Sequence, residues 1–232
     1  MRPCSRSIGT FVCRVLLHNG AVSDQEDLLG AIVAAGVRDA RVLEAVRAVP
    51  RADFVPPDLA WRAYEDKPLP IPRGQVTTQP SLVAKMVEAL GLEGSGRVLE
   101  VGAGYGWQTA LLARLCGSVW AVERFADVAE AARENLASFG VTNAEVVEGD
   151  GTDGLPEHAP YDAILVAAAF PSVPLPLGEQ LAPRGRLVQP VGPGGAEEVV
   201  LFEKGPRGLG RVRVVAGASF VRLYGEHAFP EE

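Results

Sequence analysis

Both common phosphate-binding loops are missing from this chain of 232 residues. No G-x-x-x-x-G-K-[ST] run occurs, which sets aside a nucleoside triphosphate site. The dinucleotide fingerprint G-x-G-x-x-G is absent too: Trp107 stands where its third glycine would let a helix pack behind a pyrophosphate, and the glycine falls one residue early at Gly106. Cysteine is scarce. Cys4, Cys13 and Cys116 are odd in number and lack C-x-x-C spacing, so neither a disulfide framework nor a zinc site is suggested, and no metal is expected. No apolar run reaches membrane-spanning length. Positive charge is also short: 22 Lys and Arg against 29 Asp and Glu leave a net charge of -7, which argues against general nucleic-acid binding.

What is present points to an α/β protein with an ample core, at 47% hydrophobic residues. Arg2 and Arg6 precede a short apolar stretch, but Arg14 interrupts it and no small-residue cleavage site follows. Residues 1–22 therefore read as a flexible extension of a cytoplasmic, monomeric protein. Ser23 and Asp24 can cap a helix to about Val37, and Asp39 another with Val42, Leu43 and Val46 on one face, ended by Pro50. These helices and the proline-rich stretch from Pro56 to Pro80, an ordered connection of the kind that often carries function, make up a helical annex and substrate-side segment over 23–92.

From residue 93 onward strands and helices alternate. Strands are expected at 97–102, 118–123, 144–149, 162–168 and 186–192, and helices at 106–116, 125–139 and 175–182, after a helix from Pro80 to Leu90. Such alternation implies a doubly wound, mostly parallel sheet, with 198–204 and 211–222 as an antiparallel edge hairpin. Ligands in such sheets sit beyond the carboxyl ends of the strands. Those ends are Gly102 to Gly106, Glu123, Asp150 with Gly151, and Ala167 to Pro171.

The run Val98-Leu99-Glu100-Val101-Gly102-Ala103-Gly104-Tyr105-Gly106 is a buried strand ending in an acid and alternating glycines, which brings bare backbone against a ligand. A carboxylate at Glu100 would repel a pyrophosphate but suits a ligand carrying an ammonium and a sulfonium, so S-adenosylmethionine is favoured over a bare tight turn. Glu123 can accept both ribose hydroxyls, or pair with Arg124 in solvent. Asp150 can accept from an adenine amine, or cap its own turn.

Tyr64-Glu65-Asp66-Lys67-Pro68-Leu69-Pro70-Ile71 and Gly74-Gln75-Val76-Thr77-Thr78-Gln79-Pro80 resemble the substrate segment of protein-L-isoaspartate O-methyltransferases. The glycine motif continued by Gln108-Thr109-Ala110, the turn Gly149-Asp150-Gly151, and the runs 161–169 and 181–192 are similar to the same family, over roughly residues 25–229. The resemblance implies a Rossmann-like methyltransferase fold and methyl transfer from S-adenosylmethionine to the α-carboxylate of L-isoaspartyl residues in damaged proteins. The ester then collapses to a succinimide that reopens partly to aspartate. Carried over, it implies Thr78 at the catalytic position. It places Glu100, Gly102, Ala103, Gly104, Gly106, Glu123, Arg124, Asp150 and Gly151 at the cofactor, and Thr77, Gln79, Ala167, Ala168, Phe170 and Val221 at the substrate.

Three departures bear on the acceptor. Thr78 replaces a serine, keeping the hydroxyl, and could instead make a turn contact before Pro80. Phe170 replaces a small residue, and either narrows the cleft or packs as core. Arg222 replaces a proline in Ser219 to Gly225, which resembles the family's edge strand over the substrate; it attracts a carboxylate or faces water. Methylation of an unmodified aspartate in a dedicated peptide, or a regulatory protein that keeps the cofactor and has lost turnover, are the alternatives. No histidine is expected to act as acid or base.

Overall fold

The computed structural model of the protein describes residues 24–230. The expected N-terminal extension, with Cys4, Cys13 and His18, lies outside the described residues. Asp24 opens helix α1 (Gln25–Ala34) with a capping box, accepting from the N–H groups of Glu26 and Asp27 while the Asp27 carboxylate accepts from its own N–H. Asp39 accepts from Arg41 N–H to start α2 (Ala40–Ala48). Helix α1 ends short of Val37 because Gly36 takes φ +110°, a turn conformation that a side chain would strain. Helix α3 (Pro80–Leu90) begins with proline at its first position and ends at Gly91 with φ +60°. Leu28, Ile32, Val46 and Phe54 bury their side chains in one cluster with Val83 and Met86 of α3, Leu111 and residues of the sheet beneath.

The expected alternation is borne out. Strands β3 (Arg97–Val101), β4 (Ser118–Glu123), β5 (Ala144–Glu148), β6 (Tyr161–Val166) and β7 (Leu181–Val191) run parallel. They are joined through α4 (Trp107–Ala113), α5 (Ala126–Phe139) and α6 (Leu175–Gln180), while β5 passes to β6 through a 3-10 turn at Pro156–His158. β8 (Glu197–Gly205) and β9 (Gly208–Ala218) complete the sheet antiparallel, in the order β5-β4-β3-β6-β7-β8-β9. Strands covered on both faces need continuous apolar runs, and Leu99, Ile164, Leu165 and Leu187 are fully buried.

Two elements differ from expectation. The edge hairpin stops at Ala218; residues 219–224 leave the sheet and cross the end of β6, where Ala169 N–H donates to Val221 O at 2.8 Å and Leu223 N–H to Ala169 O at 2.8 Å. The proline-rich connection is ordered, but it folds into 3-10 turns at Arg51–Phe54 and Pro57–Arg62 and a small antiparallel pair, β1 (Leu69–Ile71) and β2 (Gln75–Thr77). Strands of three residues are too short for an alternation to be read in sequence.

That connection is organised around Arg51, which has no exposed surface. Its Nη1 donates to Ala63 O and Glu65 O, and its Nη2 to Lys67 O, Thr77 Oγ1 and Thr78 O, between 2.6 and 3.3 Å. The guanidinium also lies 5.7 Å from the centre of the Trp107 ring, and Trp107 Nε1 donates to Val49 O at 3.1 Å. Burial draws the guanidinium down to about 10, with Asp66 and Glu65 opposing, so it stays charged at neutral pH. Arg51→Met removes the donors and leaves buried carbonyls unsatisfied; it is expected to lower the free energy of unfolding by about 3–5 kcal/mol. Denaturant titration checks this, and a change under about 1 kcal/mol would show that the segment holds itself.

Candidate active site

The glycine turn after β3 forms the floor of a cavity that is open to solvent at its mouth. Gly102 and Gly104 take φ +91° and +55°, conformations that would strain other residues. Their backbone, with Ala103, faces the cavity directly. Gly151 forms part of the far wall; a Cβ there would meet Val101 Cγ1 at 2.5 Å, so the turn closes against β3 only without a side chain. Val76 and Gln75 of the β1–β2 pair, with Tyr224 and Leu223 of the crossing segment, line other parts of the wall.

Glu123 ends β4 on the cavity wall, 6% exposed. Its Oε2 accepts from Gly104 N–H at 3.0 Å and its Oε1 from Phe125 N–H at 3.2 Å. A carboxylate has about four lone-pair sites, and the backbone N–H groups of Gly104, Phe125 and Arg124 take up part of that capacity, leaving the rest for a ligand's hydroxyl. Burial pushes its carboxyl above the usual range, against the backbone N–H groups that favour the charged form. Arg124 also lines the cavity, with its guanidinium over the rings of Phe125 and Tyr224.

Glu100 does not reach the wall, contrary to expectation. It is fully buried, its Oε1 accepting from Gln108 Nε2 at 2.8 Å and its Oε2 from Thr109 Oγ1 at 2.6 Å. Burial raises it to about 8, with the two hydrogen bonds opposing and Glu123 adding repulsion. Glu100 holds Gln108, which does line the cavity.

Three further residues called for the site make contacts within the protein. Gly106 starts α4 behind the cavity, where its missing side chain admits Leu136 of α5. Asp150 is held within the protein: its Oδ1 accepts from Thr152 N–H and Oγ1, and its Oδ2 from Glu226 N–H. Burial pushes its carboxyl up, but those hydrogen bonds prevail and hold it below the usual range. It pins the returning C-terminal segment. Phe170 does not narrow the cleft, because its ring packs edge-on against Phe229 at 5.0 Å.

On the other side of the cavity, Thr77 and Thr78 have different fates. The Thr77 hydroxyl is engaged by Arg51 and by Leu69 N–H, so the wall it contributes is not free to bind. No hydrogen bond engages the Thr78 hydroxyl, and Thr78 lines both this cavity and a second one beside it. Ala167 and Val221 also border both, Ala168 only the first and Gln79 only the second. Gln79 gives its amide to Asp66 and Ser81. Arg222 is exposed on the rim of the first cavity, its Nε donating to Pro193 O at 3.2 Å and its guanidinium over the Phe229 ring. Among the described residues no histidine or cysteine lines either cavity: His158 stacks on Trp120, His227 meets Asp153, and Cys116 is buried, its thiol pushed up to about 12 by burial. Reading missed Tyr105, Trp107 and Gln108 as wall residues, although Gln108 lies in the motif already singled out.

The family described as protein-L-isoaspartate(D-aspartate) O-methyltransferase matches residues 23–228. The chain is 51% identical over 203 residues to a protein-L-isoaspartate O-methyltransferase of Methanoculleus marisnigri, covering 87% of this chain and 91% of that one. It is 50% identical over 200 residues to a protein of the same name from Aeropyrum pernix, covering 84% and 77%. A solved structure of a protein-L-isoaspartate O-methyltransferase superposes with a TM-score of 0.76 at 28% identity, covering 88% of this chain and 67% of that one. A Plasmodium falciparum structure described as a putative member in complex with S-adenosyl-L-homocysteine shares the fold, with a TM-score of 0.73 at 21% identity over 87% and 99% of the two chains.

A carboxyl held above its unfolded value binds its proton more tightly in the folded state, so unfolding releases that proton and stability falls as pH rises through the interval. For Glu100 the interval runs from the ordinary 4.5 to about 8. Thermal unfolding followed across this range is expected to show a falling midpoint, and Glu100→Gln, which keeps both hydrogen-bonding positions, to remove most of that slope. An unchanged slope in the variant would place the titration elsewhere.

Proposed function

The chain belongs to the protein-L-isoaspartate(D-aspartate) O-methyltransferase family, and from that premise we propose how its two adjoining cavities methylate the α-carboxylate of an L-isoaspartyl residue. The cavity over the glycine turn fits S-adenosylmethionine: bare backbone at Gly102 to Gly104, spare acceptor capacity on Glu123, and Gln108 held by Glu100 are donors and acceptors suited to a nucleoside with an amino-acid tail. When bound, the cofactor supplies a methyl group on a positively charged sulfur that departs as a neutral thioether.

The observation that carries this reading is the free hydroxyl of Thr78 on the wall shared by the two cavities. A carboxylate is already a nucleophile, so its oxygen needs no base to form the new bond to carbon. The protein's task is position and dryness. Thr78 donates its hydroxyl to one carboxylate oxygen and leaves the other facing the first cavity. The methyls of Ala167, Val221 and Val76 keep water from the junction. An isoaspartyl residue carries its free α-carboxylate directly on a main-chain carbon, with one extra methylene in the backbone path, whereas an aspartate holds its carboxylate one methylene off the main chain; the small residues around the junction read that difference. Phe170 and Arg222 do not fill the junction, so nothing there favours a special acceptor or a silent binder.

Matched peptides bearing isoaspartate or aspartate, incubated with S-adenosylmethionine and followed by mass spectrometry, are expected to give a methyl ester on the isoaspartyl peptide only. Ester on neither, with the cofactor bound, would overturn the reading. Thr78→Ala is expected to lower kcat by about 10–100-fold, the loss of one charge-assisted hydrogen bond, with cofactor affinity within about two-fold. Glu123→Ala reverses the pattern, weakening cofactor binding in calorimetry by about ten-fold or more; an unaltered affinity would remove it from the ribose.

A further inference from the structure

We propose that Lys85, in the second cavity, reads an acidic side chain of the acceptor two to three residues from the methylated position. This rests on the methyl-transfer reading and says which acceptors that site prefers. The two cavities share Val76, Thr78, Ala167 and Val221, so a peptide with its carboxylate at Thr78 has the second cavity as its adjoining space. One wall there is the end of β9, the outermost strand of the sheet, where Ala216, Gly217 and Ala218 leave room for a main chain. The facing wall is α3.

Among the described residues, Lys85 is the one charged side chain on this cavity's wall. The charged groups of the first cavity, Glu123, Arg124 and Arg222, do not border it. Lys85 is half-buried, and among the described residues its ammonium has no carboxylate partner. The nearby acids are otherwise employed. Glu88, one turn on, accepts the N–H groups of Arg38 and Asp39 at 2.6 Å, and Asp66 accepts from Ser81 N–H and Gln79 Nε2. In a chain of net charge -7, a partly desolvated cation left without a counter-ion beside a substrate channel is a site for an anion. A carboxylate meeting it there is less screened than a surface pair. The helix rise of about 1.5 Å per residue puts the Lys85 backbone about 7.5 Å along α3 from Pro80, two residues past Thr78. An extended peptide, at about 3.3 Å per residue, spans that in two to three residues.

Peptides blocked at both ends, with a central isoaspartate and either Glu or Gln two or three residues to each side, test this with the intact protein. At one or more of those positions the Glu peptide is expected to show a KM about five-fold below its Gln partner. Lys85→Met brings that ratio to about one, and Lys85→Glu turns it the other way. Because the readout is a ratio within each protein, a general loss of activity in a variant does not imitate it. A ratio of one at every position in the unaltered protein, or a preference for Glu that survives in Lys85→Met, overturns the subsite while leaving methyl transfer standing. Methylation of none of the peptides removes the premise and the subsite with it.

Discussion

A guanidinium with no exposed surface must take its hydrogen-bond acceptors from the chain, and Arg51 takes five from a stretch of sixteen residues between Ala63 and Thr78. That stretch has little else to hold it. β1 and β2 are three residues each, and the segment is rich in proline, which donates no backbone hydrogen bond. By drawing the carbonyls of Ala63, Glu65, Lys67 and Thr78 to one point, Arg51 sets where the Thr78 side chain emerges. By lying over Trp107, at the start of α4, it ties that point to the glycine turn. The acceptor side and the cofactor side of the site are therefore referenced to one buried charge.

The acids of the site divide in the same way between wall and support. Glu123 reaches the cavity with spare acceptor capacity, while Glu100 and Asp150 spend theirs within the protein. Glu100 fixes Gln108, and Asp150 anchors Glu226, whose neighbours Leu223 and Tyr224 close part of the wall. Such support suits a reaction that asks for alignment rather than proton transfer. Among the described residues, the absence of histidine and cysteine from both cavity walls follows from the chemistry of a carboxylate nucleophile.

The alternation of strands and helices was legible because buried parallel strands are apolar throughout and their helices carry proline, glycine and aspartate at the ends. The glycine turn and Glu123 were legible for a related reason: ligand sites in such sheets lie just past the strands. The contacts that reading did not anticipate share a cause. Asp150 and Phe170 were assigned from the strand they follow, but both are claimed by the C-terminal segment, through Glu226 and Phe229, which returns from more than fifty residues away. A partner at that separation leaves no local pattern. Arg51 was passed over because a single arginine among prolines carries no periodicity, and only the folded chain shows how many carbonyls converge on it. Thr77 and Thr78 are alike in sequence; what distinguishes them is which hydroxyl that arginine has already taken.

If one buried guanidinium places the acceptor segment over a cofactor wall that is built separately, weakening it must damage the two functions unequally. Arg51→Lys keeps the charge but loses the planar fork that reaches several carbonyls at once. Cofactor affinity by calorimetry and kcat/KM for an isoaspartyl peptide, measured together on this folded variant, decide the matter. The account predicts that kcat/KM falls by about ten-fold or more, while cofactor affinity stays within about two-fold of the unaltered protein. Equal losses in both, or none in either, would contradict it.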